Sequence, residues 1–365
     1  YRRTFVIPQE MREQRVLLNF DGINWKADVW LNGKKIDRIE GAFTRSTVDI
    51  TPYINNGVNT MAVLIHKNAH PGSIKEKNHL NTDFNGGILG ADNPTFHATT
   101  GWDWISTIRG RDIGIWNDVY LTSTASVSLS DPVVSTRLDN LPDTLACITP
   151  RVIAHNWLNK DVSGTLKGWI GNLKFEKKLT LKAGEQCEVV FNPEQYPTLN
   201  DQRIRLWWPN GYGEPYLHEA GFEFVADDKQ NTTTNARIGY KAGIREVRYA
   251  DAKTQLKLFV NGKRLVPLGG NWGFSESNLN YRQREYDIAV RLHRDMNFNM
   301  IRNWVGMTGD EEFYDACDKY GIMVWQDFWL ANPADGPDPD DEEMFMRNAR
   351  DFTSRMRRHP SIALY

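Results

Sequence analysis

The hydrophobic rhythm of this 365-residue chain changes once, and that change restricts its fold more than any other feature. Up to about residue 256 apolar and polar residues alternate at period two, as in Arg15-Val16-Leu17-Leu18-Asn19-Phe20 and Ala27-Asp28-Val29-Trp30-Leu31. No segment there carries the 3.6-residue period of a helix. Beyond it, short apolar runs alternate with amphipathic stretches. The spacing predicts strands over 264–270, 300–302, 323–326 and 362–365, with helices over 282–296, 311–320 and 341–357 between them. The first pattern builds antiparallel sandwiches; the second builds parallel βα units.

The strand-rich part divides in two. Residues 1–125 hold Asn32-Gly33 between hydrophobic runs, a strong hairpin signal, and further strands over 47–50 and 60–66. Between His66 and Trp102 lies a Gly-, Asn- and His-rich stretch, too long to be a mere connection in a compact sandwich. Residues 126–247 change their punctuation, with strands over 127–129, 144–156, 165–170, 187–191 and 221–225. Roughly seven short strands in such a length is the immunoglobulin-like pattern. Residues 248–365 supply four strands, whereas a closed eight-stranded barrel takes about 250 residues. The expected fold is mostly β plus α/β: two β-sandwiches, then the first half of a (β/α)8 TIM barrel. Half a barrel leaves strand edges and apolar surface unpaired, so self-association or contact with a missing fragment is expected.

Composition excludes several functions. A formal net charge of -2 and scattered Lys and Arg provide no basic face, which argues against nucleic acid or an anionic membrane as partner. No apolar run approaches the roughly 18 residues of a membrane span. Three cysteines, Cys147, Cys187 and Cys317, make no disulfide framework and show no zinc spacing. They read as small buried hydrophobes. His66, His70, His79 and His97 match no ligand motif on a regular element, so no metal and no cofactor is expected. The Asn231-Thr232-Thr233 run reads as a turn.

Ligand-facing residues of a barrel follow its strands. Here those positions are Asn271-Trp272, Arg302-Asn303-Trp304 and Asp327-Phe328-Trp329. Each predicted strand therefore delivers a hydrogen-bonding group beside an aromatic ring, which suits a sugar: donors and acceptors for hydroxyls, a flat face for the ring. Asp327 is a candidate acid. A glycosidase needs two carboxylates, about 5 to 5.5 Å apart for retention and further apart for inversion, and no second one stands at these strand ends. The acids from Asp335 to Glu343 lack calcium-loop spacing and are expected to be solvated, the last of them capping the third helix. Asp310-Glu311-Glu312 is expected to cap the helix before it.

Taken together the motifs resemble glycoside hydrolase family 2. Trp30-Leu31-Asn32-Gly33, Glu40-Gly41-Ala42-Phe43, Gly101-Trp102-Asp103-Trp104 and Gly114-Ile115-Trp116-Asn117-Asp118-Val119 are similar to its sugar-binding, galactose-binding-like jelly-roll domain. Leu206-Trp207-Trp208-Pro209-Asn210-Gly211 and Gly243-Ile244-Arg245 resemble its immunoglobulin-like domain. Gly269-Gly270-Asn271-Trp272, 295–302, Trp325-Gln326-Asp327-Phe328-Trp329 and Arg358-His359-Pro360-Ser361 resemble the opening of its barrel. The versions found here are closest in type to β-mannosidases, plant-type endo-β-mannosidases and some exo-β-glucosaminidases, and less like the β-galactosidase and β-glucuronidase branches.

The resemblance implies an oligosaccharide or glycan substrate and retaining hydrolysis of a β-linked sugar, mannosides before glucosaminides or galactosides. It implies that Asp103 reaches the barrel mouth to hold substrate hydroxyls, that Trp304 forms part of the sugar subsite, and that Asn271, Arg302 and Asp327 support the pocket; Trp272, from the strand-end pattern, is expected to bind substrate as well. The family's acid/base and nucleophile glutamates would follow Tyr365, so no catalytic residue is assigned and the 365-residue chain is expected to be inactive. A periplasmic or secreted setting would suit the family. The rival from another class is a carbohydrate-binding protein whose affinity resides in residues 1–125.

Overall fold

The computed structural model describes residues 1–70, 73–74, 87–88, 92, 94–96, 112–139, 145–227, 236–272, 281–306, 308–330 and 338–365. The protein is mostly β, with sandwich-like sheets and three α-helices among the described residues. In the N-terminal part a sheet ordered Arg2–Val6, Val58–His66, Lys26–Leu31, Lys34–Glu40 faces one ordered Val119–Thr124, Arg15–Phe20, Ser46–Asp49. Val16, Leu18, Phe20, Val29, Leu31 and Val63 fill the space between them. The hairpin forms at Asn32-Gly33, both in the left-handed region with φ 50 and 82, as a tight turn between twisted strands requires.

Seven further strands make a sheet of three, Val127–Asp139, Leu145–Asn156 and Gln186–Val190, and a sheet of four, ordered Leu173–Leu181, Val162–Ile170, His218–Ala226, Ala236–Ala242. The strands expected from sequence omit Leu173–Leu181, although Leu173, Phe175, Leu179 and Leu181 alternate at period two; Lys174, Glu176, Lys177 and Lys178 stand in solvent on this edge strand, where charge blocks further pairing. Cys147 and Cys187 occupy different strands as free thiols, and Cys317 is buried in the third core. Cys147 departs from a simple apolar role, its thiol lying 3.1 Å from Asn200 Oδ1.

The last part begins with a hairpin rather than one long strand. Residues 264–270, expected as a single strand, are split: Lys263–Leu265 pairs antiparallel with Lys257–Val260, while Gly269–Trp272 joins a parallel sheet. The separating Pro267 has no N–H to continue a ladder. The parallel sheet runs Gly269–Trp272, Met300–Asn303, Met323–Gln326, Ile362–Leu364 in chain order. Between these strands lie α1 (Gln283–Asp295), α2 (Glu311–Tyr320) and α3 (Glu342–Met356). Asp341 caps α3, accepting from Met344 N at 2.8 Å, as expected. Asp310 does not cap α2 with its side chain; its carboxylate accepts instead from the buried Tyr286 hydroxyl.

The family-like motifs of the sandwiches turn out to be joints. Trp207 is fully buried, donates to Asp318 O at 2.8 Å, and its own carbonyl accepts from Asn261. Asn210 donates to Arg294 O and Phe298 O. Arg245 donates to Pro360 O and Ile362 O, both at 2.9 Å, and so fixes the entry to the last strand. Phe43 lies in the core of the α/β part, stacked on Trp329 with centroids 4.0 Å apart. Gly41, at φ 95, lets the chain pass Asn348, whose amide a Cβ would meet at 2.3 Å.

Candidate substrate-binding site

The parallel register sorts the strand-end residues by face. Asn271, Arg302, Trp325 and Leu364 are mutual partners across the sheet, so their side chains share one face. Trp272, Asn303 and Gln326 take the other, against the helices. On the first face Arg302 and Asp327 form a bidentate ion pair, with Arg302 Nε 3.0 Å and an η-nitrogen 2.8 Å from Asp327 Oδ2. The guanidinium lies over the Trp325 ring, 4.7 Å from its centroid. Trp325 keeps 39% of its surface exposed. Phe328 stacks on Tyr365 beside it, 18° from parallel.

Backbone strain helps hold Asp327. Val305 adopts φ 47 and ψ 26, a left-handed conformation that costs a β-branched residue about 1–3 kcal/mol. In return its N–H donates to Asp327 Oδ2 at 3.1 Å. Gly306 continues the turn at φ 60; a Cβ there would meet Trp329 at 2.7 Å and Asp327 O at 2.9 Å. Beneath, on the helix face, Tyr314 Oη donates to Gln326 Oε1 at 2.6 Å, and Asn303 Nδ2 donates to Gln326 Oε1 and Thr308 O. The ends of the second and third strands are thus tied to each other by buried hydrogen bonds, which hold Arg302 and Asp327 in register.

The structure brings Asn271, Arg302 and Asp327 to the open face but corrects the role expected of Trp272. That ring is 4% exposed, packs against Tyr286 and Phe313, and donates to Thr308 Oγ1 at 2.9 Å, because it alternates away from Asn271. It supports the pocket from behind and offers no face to a ligand. Trp304 is 9% exposed and belongs to the same core. Asp103, with the whole Gly101-Trp102-Asp103-Trp104 motif, lies outside the described residues, as do His79, His97, Asn231 and Asp335. Trp325 was not singled out from sequence. Only the register of the parallel strands, which pairs it with Arg302, puts it on this face.

Among the described residues three side-chain groups come close enough to consider a metal: His70, Asp92 and Asp340; Asp139, Cys147 and Asp201; Asp315, Asp318 and His359. In the last, His359 Nδ1 is 2.7 Å from Asp318 Oδ2, and Asp318 Oδ1 accepts from Ser361 N. That pair reads as a buried tie between α2 and the last strand.

One titration is separable from the rest. Burial pushes the Asp112 carboxyl up to about 6. A folded-state pKa above the unfolded one means that stability is lost as pH rises toward 6 and stays lost above it. Asp112→Asn, which tolerates the same left-handed backbone (φ 50), is expected to be more stable than wild type at pH 7, by about 1 kcal/mol because solvent still reaches part of the carboxyl, and to match it near pH 4. Urea unfolding at both pH values reads this; equal differences at the two would refute it.

Fold and site together define a modular, mostly β protein whose sandwich-like sheets support a strand-end pocket. Residues 1–117 match the family described as glycosyl hydrolase 2 galactose-binding domain-like. The chain is 33% identical to mannosylglycoprotein endo-β-mannosidase of Lilium longiflorum, over 96% of this chain and 38% of that protein. It is 29% identical to exo-β-D-glucosaminidase of Streptomyces avermitilis, over 92% of this chain and 34% of that protein. The solved β-D-mannosidase of Dictyoglomus thermophilum matches with a TM-score of 0.77 at 24% identity, over 99% of this chain and 44% of that one. The chain therefore spans well under half the length of the relatives it matches. Residues 1–117 thus match the N-terminal, galactose-binding-like domain of glycoside hydrolase family 2, and nearly the whole chain is similar to part of β-mannosidase, endo-β-mannosidase and exo-β-glucosaminidase sequences.

Proposed function

We propose that this chain is the substrate-binding portion of a family 2 glycosidase that hydrolyses β-linked mannosides with retention. In this reading residues 1–125 are a galactose-binding-like jelly roll, 126–247 an immunoglobulin-like spacer, and 248–365 the first half of a TIM barrel. The consecutive parallel strand order, with a helix after each of the first three strands, supports the last assignment. The substrate is an oligosaccharide or glycan, and Asp103, Asn271, Arg302, Trp304 and Asp327 are its proposed pocket, with Trp272 behind it and Trp325 added.

The observation that carries the reading is the Arg302–Asp327 pair lying on an exposed Trp325. A paired guanidinium and carboxylate offer several donors and acceptors without net charge, and the ring offers an apolar face; a neutral sugar needs both. Asp327 is engaged by Arg302 and Val305 N and has no carboxylate partner at the described strand ends, so it is a binding residue. Arg302 neutralises the one carboxylate an ammonium group could use there, so in this reading mannosides come before glucosaminides. The chain alone is expected to bind without turnover.

Titration of the 365-residue chain with β-1,4-mannobiose, followed by calorimetry, tests this. Trp325→Ala and Arg302→Met are each expected to weaken binding about tenfold, the order of one lost stacking or charged contact. Equal affinity in both variants, or tighter binding of glucosamine than of mannobiose, would overturn it.

A further inference from the structure

We propose that the cleft where the two sandwiches meet α3 is a second, non-catalytic binding site for a neutral oligosaccharide. The cleft encloses about 890 Å³, within the range of ligand sites at domain junctions. Its walls come from three parts of the chain. Asn19, Thr47 and Tyr120 present one sheet face of the first sandwich; His155, Trp157 and Gln186 project from the second; Arg350, Ser354 and Arg355 come from α3. Helix α3 packs on the side of the parallel sheet opposite Arg302, through Phe352 in the core that holds Ile301 and Val324. The cleft is therefore separate from the strand-end pocket.

The charge pattern selects the ligand. Arg45 is spent on Asp131 and Asp351, at 2.7 and 2.6 Å, and Arg358 on Glu311 at 2.5 Å. The lining holds as many cations as carboxylates, four of each, and so no net charge: Asp21 has no cation in salt-bridge range and the exposed Arg350 no carboxylate in that range among the described residues, while the buried Arg355 lies 4.0 Å from Glu311. An anion or a cation would each meet an opposed charge left over, whereas a polyhydroxylated neutral chain can use both. Within the wall the buried Asp131 also accepts from Ser354 Oγ at 2.9 Å, and the Nε of the buried Arg355 has no hydrogen-bond partner. Trp157 supplies the apolar surface. Its Nε1 donates to Ser128 Oγ at 2.8 Å and its ring lies 3.9 Å from that of His155, so the indole is held in place before any ligand arrives. Aromatic surface beside paired polar groups is again the sugar-binding combination.

Because three parts of the chain close the cleft, an occupant bridges them and stabilises the whole. This inference shares only the ligand class with the function proposed above, and the test separates the two sites. The 365-residue chain is titrated with β-1,4-mannotetraose, cellotetraose and chitotetraose by calorimetry, with Trp157→Ala, Arg350→Ala and Trp325→Ala alongside. Two equivalents of sugar per chain are expected for at least one of these. Trp157→Ala should reduce this to one and Arg350→Ala should weaken the same equivalent about tenfold, while Trp325→Ala removes the other. Arg350 is a surface residue, so its variant remains informative if Trp157→Ala does not fold. A stoichiometry of one that Trp325→Ala abolishes and both cleft variants leave intact overturns the cleft site and spares the strand-end reading. A single equivalent lost only in the cleft variants does the reverse, and no binding of any tetrasaccharide overturns both.

Discussion

Arg45→Met is expected to lower the free energy of unfolding by about 3 kcal/mol, and adding Asp131→Asn is expected to restore most of that loss. Arg45 reaches from the first sandwich to Asp131 at the start of the second and to Asp351 on α3, so a single guanidinium ties three parts of the chain. Asp131 is buried; burial works to raise its pKa, and the hydrogen bonds and charge of Arg45 overcome this and hold it below the ordinary carboxylate value. Removing the cation leaves that carboxylate dry and opposed by no charge at contact distance. Neutralising it as well removes the desolvation cost, and Asn can still accept from Ser354. Chemical denaturation of both single variants and the double variant measures the coupling. Additive losses would show that the pair contributes nothing of its own.

Phe43→Ala is expected to cost about 3–5 kcal/mol, the range for emptying a fully buried aromatic site. The loss should appear in the α/β part although the substitution lies in the first sandwich. Phe43 has no exposed surface, stacks on Trp329 with 5° between the rings, and touches Phe352 edge-on. Trp329 in turn sits against the Gly306 turn beside Asp327. The cavity should let Trp329 shift, and a red-shifted tryptophan emission with more than about tenfold weaker mannobiose binding would report it. Destabilisation with unchanged emission and unchanged sugar affinity would limit Phe43 to packing. The same contact bears on the carbohydrate-binding rival, since residues 1–125 expressed alone would expose Phe43 to water.

How far the sequence reaches can be judged from particular elements. The helix expected over 311–320 and the strand over 323–326 are observed at Glu311–Tyr320 and Met323–Gln326, because both lie between strong stop signals: Asp310 before, Gly321 in the left-handed conformation between them, and Asp327 after. The edge strand Leu173–Leu181 was legible in the alternation of Leu173, Phe175, Leu179 and Leu181 with charged residues and was passed over. The strand expected over 264–270 failed because Pro267 separates two pairings of opposite direction, which no local window reveals. The likeness to family 2 was legible because the motifs that carry it are contact residues at the joints, such as Trp207, Arg245 and Phe43, and a joint demands particular side chains.

By itself, then, the sequence determined the periods: two for the sandwiches, alternating two and 3.6 for the α/β part, and with them the order of elements along the chain. Periodicity is local, and burial of one apolar face enforces it residue by residue. Which tryptophan stays exposed at a strand end was decided only in three dimensions. Trp272 and Trp325 look alike as strand-end aromatics, yet register across the sheet sends one into the core and leaves the other beside Arg302 and Asp327. The tie made by Arg45 and the cleft lined by Trp157 likewise join residues far apart in the chain, and only packing of the separate sheets brings them together.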